Sequence, residues 1–230
     1  VSLEQGRLWF GGEALAHTQG ALYRSLKVRL LGPAAEPDNE YPPGPCPDLL
    51  VAAYLAWAFR AVRNQIDRQY PDADIHLNVA APMDCLEDHK IKTRYLQIVQ
   101  AAWTIAFDSA PIAVTQGCRL DEIEDALHSL LSQNVLVEEE RKFDVLPETG
   151  AGIVSLSMNP RMMPGMYLIV DMGAGTTEIS VNYSNEQGAD HRVVCYCDQT
   201  VMIGGDRFSR LSELPSEQQQ IRCDSLASEL

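Results

Sequence analysis

Met166-Tyr167-Leu168-Ile169-Val170-Asp171-Met172-Gly173-Ala174-Gly175-Thr176-Thr177-Glu178-Ile179-Ser180-Val181 decides how this chain reads. The run Leu168–Val170 has no polar alternation, which predicts a strand buried on both faces. It ends in Asp171, passes through a Gly-Ala-Gly turn with two threonines, and leaves in a second, alternating strand pattern. Gly173 and Gly175 allow positive φ and carry no Cβ to keep a ligand from the backbone. Successive N–H groups in such a turn form an anion-binding concavity, and Thr176 and Thr177 add hydroxyl donors. Asp171, at the strand end, is placed to hold a hydrated Mg²⁺ beside phosphates, since Mg²⁺ keeps several waters and takes few carboxylates. An ordinary hairpin whose glycines serve only the turn is the plain alternative. The Asp, both Gly and both Thr together favour the phosphate site.

Working outward, Val145-Leu146-Pro147-Glu148-Thr149-Gly150-Ala151-Gly152 predicts a short strand ending in a carboxylate, then a helix through Ile153, Val154 and Leu156. Small residues at its start allow close approach to a sheet. Arg192–Cys197 predicts a further strand, with Cys195 and Cys197 at strand spacing and so on one face. Val201-Met202-Ile203-Gly204-Gly205-Asp206-Arg207-Phe208 predicts a Gly turn entering a helix, with the Gly pair able to bring backbone near a ligand.

Toward the N-terminus, Arg7–Gly12 reads as a strand closing in a Gly turn, and Pro33–Pro47 as an exposed Pro-rich connector. Asp48–Arg68 is the clearest helix, with Asp48 as N-cap and a stripe of Val51, Leu55, Ala58, Phe59, Val62 and Ile66. Trp57 lies off that stripe. Ile75, Leu77 and Val79 alternate as a strand ending at Ala80-Ala81-Pro82. A second long helix, from about Glu87 to Phe107, buries Ile91, Tyr95, Ile98, Val99, Ala102 and Ile105, with Ala101 and Ala102 permitting close packing on a sheet. Residues 121–134 form an amphipathic helix with acids in the first turns, where the helix dipole favours them.

The 230 residues carry a net charge of −14, which argues against nucleic acid and against an anionic membrane surface. No apolar run is long enough to span a bilayer, and no signal-like core opens the chain. The six cysteines show no C-x-x-C pair, so reduced thiols in a cytoplasmic protein are the expectation. The chain lacks a starting Met and reads as a fragment.

Several of these segments, in order, resemble the nucleotide-binding domain of heat-shock protein 70 chaperones, within the superfamily of actin-like ATPases and sugar kinases. Val170–Val181 looks like its second phosphate motif, and Gly204-Gly205-Asp206-Arg207-Phe208 like its later Gly-Gly-acid-x-Phe segment. Pro147–Ala151 is similar to its connecting motif, and Val79–Pro82 more loosely to the strand end before a long helix. Gly12-Glu13-Ala14 and Leu26–Gly32 resemble two N-terminal segments.

The resemblance implies an α/β, actin-like ATPase (ribonuclease H-like) domain with mixed sheets flanked by helices. A first lobe would cover residues 1–164, with the Pro-rich loop 33–47 and an acidic helical insertion at about 111–143. Residues 165–230 would begin the second lobe. It implies ATP and Mg²⁺ as cofactors, with Asp171 organising the metal through water. Gly173, Ala174, Gly175, Thr176 and Thr177 would hold the β- and γ-phosphates, Gly204 and Gly205 would lie near the nucleotide, and Glu148 would place the attacking water.

Lobe closure would couple to protein clients or co-chaperones. A filament subunit or nucleotide-sensing scaffold with weak turnover, and a sugar kinase of the same superfamily, are the rival readings. The chain departs from the family pattern in three ways. The first phosphate motif and the adenosine segment fall outside it. Ala16, His17 and Thr18 stand where typical chaperones carry a Lys.

Overall fold

The computed structural model describes residues 1–17, 19–24, 26–31, 44–70, 77–82, 86–107, 117–132, 143–157, 163–173, 175–187 and 190–201. They are mixed α/β, with small sheets flanked by helices. The Pro-rich connector up to residue 43, most of the insertion outside 117–132, and the Gly204-Gly205 segment lie outside the described residues. The chain forms two compact units. One comprises Val1–Ala81 with Cys85–Leu146, the other Pro82–Asp84 with Pro147–Leu230.

The first unit opens with a hairpin of β1 (Ser2–Glu4) and β2 (Arg7–Trp9). Gln5 and Gly6 both take positive φ, 50° and 74°, the signature of a tight two-residue connection that matches strand twist. Strand β3 (Ala21–Leu22) pairs antiparallel with β1, and β5 (Cys118–Arg119) with β2, giving the order β3-β1-β2-β5. A separate two-stranded sheet joins β4 (Leu77–Ala81) to β6 (Phe143–Pro147).

Helices supply most of this unit's core: α1 (Gly11–Ala16), α2 (Leu26–Leu31), α3 (Pro47–Gln69), α4 (His89–Phe107) and α5 (Leu120–Ser132). Helix α4 buries Tyr95, Ile98, Val99, Ala102 and Ile105, as its periodicity predicts. The close packing that Ala101 and Ala102 permit is made against helix α3, whose Ala52, Ala53 and Ala56 are equally buried. Asp88 caps α4, its Oδ1 accepting from the N–H groups of Lys90 (2.8 Å) and Ile91 (3.2 Å).

Two expectations about α3 are corrected. Asp48 is not the N-cap. Cys46 holds that position with Pro47 at the first helical residue, where a missing N–H costs nothing. Asp48 instead accepts from the Arg94 guanidinium of α4, Nε to Oδ2 at 3.0 Å and Nη2 to Oδ1. The buried face is Leu49–Ala53, Ala56 and Phe59, while Val62 is exposed. The first turns are covered nearly all round, so periodicity alone misplaces the stripe by part of a turn. Trp57 does cover a second surface, stacking on Phe10 at 5.9 Å and closing over Gly11.

The second unit holds the antiparallel sheet β7 (Gly165–Met172), β8 (Thr177–Gln187) and β9 (Asp190–Val201), in that order, and helix α6 (Glu148–Ser157). The expectation that Leu168–Val170 is buried on both faces is overturned. Met166, Leu168, Val170 and Met172 are 54–67% exposed, while Tyr167 and Ile169 are half-buried. The reason is that, among the described residues, helix α6 covers only one face of the sheet, and these side chains alternate onto the other.

Candidate functional site

The β7–β8 register runs Gly165↔Ser184 through Asp171↔Glu178 to Met172↔Thr177. Asp171, Ile169 and Tyr167 therefore share a face with Glu178, Ser180 and Asn182. Helix α6 covers that face. It packs on all three strands, and a Cβ added at Gly152 would lie 3.8 Å from Ile169 Cγ2. The small residues after Glu148 permit this approach, as the sequence suggests. They set the helix that begins at Glu148 on the same side of the sheet as Asp171.

The buried side of β8 is polar. Glu178, Ser180, Asn182 and Ser184 are each at most 2% exposed. Asn182 Nδ2 donates to Ser180 Oγ at 2.8 Å. Ile179, Val181 and Tyr183, on the opposite face, are only half-buried.

At the tip of the hairpin, Asp171, Met172 and Gly173 are exposed, Gly175 is half-buried, and Thr176 and Thr177 are buried at 5% and 9%. The Gly173 N–H donates to the Thr176 carbonyl at 2.9 Å. Gly173 does not adopt the positive φ allowed for it. Ala174, Gly204 and Gly205 lie outside the described residues. The structure thus gathers Asp171, Gly173, Gly175, Thr176 and Thr177 in one hairpin tip and puts Glu148 at the head of the helix over the adjoining face.

Sequence reading missed Glu178. Directly opposed residues on antiparallel strands have Cβ atoms about 5 Å apart, so Asp171 and Glu178 set two carboxylates side by side. The signal was present: counting back symmetrically from the turn pairs 171 with 178. Two carboxylates on one face suit a hydrated Mg²⁺, which takes one or two carboxylates and completes its shell with water and phosphate. They do not suit a cation caged by protein alone. Among the described residues no group of three or more His, Cys, Asp or Glu could hold a metal.

Two other chemistry-bearing positions are accounted for structurally. His17 Nδ1 lies 2.5 Å from Glu4 Oε2, and its ring stacks on Trp9 at 3.7 Å. It is held within the first unit by both partners. Cys195 and Cys197 do not share a face. A register shift pairs Cys195 with Asn182 but Cys197 with Val181, on opposite sides of the sheet. Desolvation, with Asp198 adding repulsion, pushes the Cys195 thiol up, which disfavours a nucleophilic thiolate.

Comparison with protein-family models, with curated proteins and with solved structures finds no match to this chain. Among the described residues no helix is long and apolar enough to cross a membrane.

Proposed function

We propose that Asp171–Thr177 is the second phosphate-binding turn of an actin-like ATPase domain of the heat-shock protein 70 type, and that the chain contributes this wall to a Mg·ATP site in a cytoplasmic chaperone-like protein. One observation carries the reading. The β7–β8 register sets Asp171 against Glu178 at the last pairs before a turn of small residues and threonines. Helix α6, headed by Glu148, lies over that same face.

In this reading Asp171 would hold the cation through water, and Glu178, opposite it in the register, would add a second negative charge. The turn supplies N–H and hydroxyl donors to phosphate oxygens. Glu148 orients the attacking water. Bound Mg²⁺ supplies charge neutralisation at the phosphates. Phosphoryl transfer needs mainly positioning and charge stabilisation, which these groups can provide. Nucleotide-dependent closure around the site would pass its state to protein clients or co-chaperones. The test is calorimetric titration of the full-length protein with Mg·ATP, alongside its Asp171→Ala variant. Binding that is lost on substitution is expected, and equal binding by both proteins sinks the role given to Asp171.

A further inference from the structure

Helix α6 and strand β7 meet at Gly152 and Ile169, both in the second unit. A Cβ added at Gly152 would lie 3.8 Å from Ile169 Cγ2, which is ordinary contact between carbons. The space between helix and strand at this point takes one carbon and no more.

Glu148 stands four residues before Gly152 in the same helix. That spacing puts it on the same helix face, the one turned to the sheet, about 6 Å along the axis. Glu148 is half-buried, and its Oε1 is shielded from solvent. On the strand, Asp171 lies two residues from Ile169 on the same face, about 6.7 Å away. The Gly152–Ile169 contact thus lies one short step from each carboxylate. It fixes how far α6 stands from the sheet, and so how deeply Glu148 enters the layer that Asp171, Glu178 and Ser180 share.

We infer that this contact sets the spacing of α6 from the sheet and that Gly152 is thereby a positioning residue for Glu148, an assignment that rests on the proposed ATP site. Gly152 acts only through Glu148. Valine at 152 adds three carbons to a packed contact, and it is stiff about χ1 in a helix, so the helix has to rise and withdraw the carboxylate. The hairpin tip belongs to the strands and keeps its hold on the phosphates.

The experiment is steady-state hydrolysis of Mg·ATP by the full-length protein, with turnover expressed per folded molecule from circular dichroism at the assay temperature. Gly152→Val should lower kcat about tenfold or more while KM for Mg·ATP stays within about threefold, the pattern of a misplaced group that acts in the transition state. Gly152→Ala adds only the carbon that the contact accepts and should keep kcat within about threefold. Ile169→Ala removes three carbons, so Gly152→Val with Ile169→Ala conserves the volume and should return kcat to within about threefold of the parent. A substitution that merely destabilises the fold would lower the folded fraction and leave kcat per folded molecule unchanged. Parent-like turnover in Gly152→Val, or a loss that Ile169→Ala does not repair, overturns the positioning role. A parent protein that binds Mg·ATP without hydrolysing it overturns that role and leaves the phosphate site standing. One that binds no Mg·ATP sinks the ATP site, and the role with it.

Discussion

Among the described residues, the two units of this chain bury opposite kinds of surface. In the first, α3 and α4 meet through Ala52, Ala53 and Ala56 on one side and Ile98, Ala101, Ala102 and Ile105 on the other, every one at most 3% exposed. In the second, the face of β8 under helix α6 is Glu178, Ser180, Asn182 and Ser184, while Met166, Leu168, Val170 and Met172 stand more than half exposed on the other face. The first unit is held by close-packed apolar contact, in which each methylene counts. The described sheet of the second carries a polar layer, in which satisfied hydrogen bonds count and lost ones are costly. A buried polar layer is also where charge and hydrogen bonding can be directed at a ligand. The proposed site accordingly sits at the end of that layer, where Glu178 meets Asp171.

This contrast can be read out separately, because all three tryptophans, Trp9, Trp57 and Trp103, belong to the first unit. Tryptophan fluorescence therefore follows that unit alone. The largest expected effect is from Ile98→Ala in urea unfolding: a loss of about 2–5 kcal/mol in the fluorescence-detected transition, from transfer and cavity together. A loss below about 1 kcal/mol would show that the helix pair is not the closely packed centre of the unit.

Ser180→Ala removes the acceptor of the buried Asn182 amide and should cost about 1–3 kcal/mol in the β-sheet signal, with the tryptophan transition unmoved. If the two signals shift together, the units do not unfold independently.

Alkaline pH should weaken the first unit. Burial pushes the Tyr95 phenol and the Cys118 thiol each up to about 12, from ordinary values of 10.0 and 9.0. Both are thus favoured in their protonated forms when folded. Their contribution is complete below the unfolded values and is lost as pH rises from about 9 toward 12. The slope is on the order of 1 kcal/mol per pH unit for each group once its unfolded value is passed. The fluorescence midpoint in urea between pH 8 and 11 measures this, and Tyr95→Phe should flatten the part above pH 10.

The smallest effect expected is from Val170→Thr on the exposed face of β7, within about 0.5 kcal/mol by either signal. A loss of about 2 kcal/mol there would mean that this face is covered in solution.

How far these features were legible in the sequence depends on what each residue's environment is made of. The periodicity of α4 and α5 was readable, because one face of each helix meets a neighbour and the apolar spacing records it. Helix α3 was readable as a helix but not in its buried face, since its first two turns are enclosed on several sides. The run Leu168-Ile169-Val170 carried the wrong message. Continuous apolar sequence signals two covered faces, and a strand covered by helix α6 on one face only breaks that rule.

The site was legible as a turn between two strands, with Asp171, the glycines and the threonines in their places. Glu178 became visible only through the register. The Cys195–Cys197 pairing failed because a bulge shifts the face of one residue, and nothing in Cys195-Tyr196-Cys197 announces a bulge.

The central claim is that the hairpin tip at Asp171–Thr177 holds the phosphates of Mg·ATP. The most direct measurement is calorimetric binding of Mg·ATP to the full-length protein and to its Asp171→Ala variant, repeated with EDTA to remove the metal. The account predicts saturable binding by the full-length protein, weakened about tenfold or more both by the substitution and by removal of Mg²⁺. Binding that is indifferent to Asp171 and to Mg²⁺, or no binding by the folded full-length protein, contradicts it.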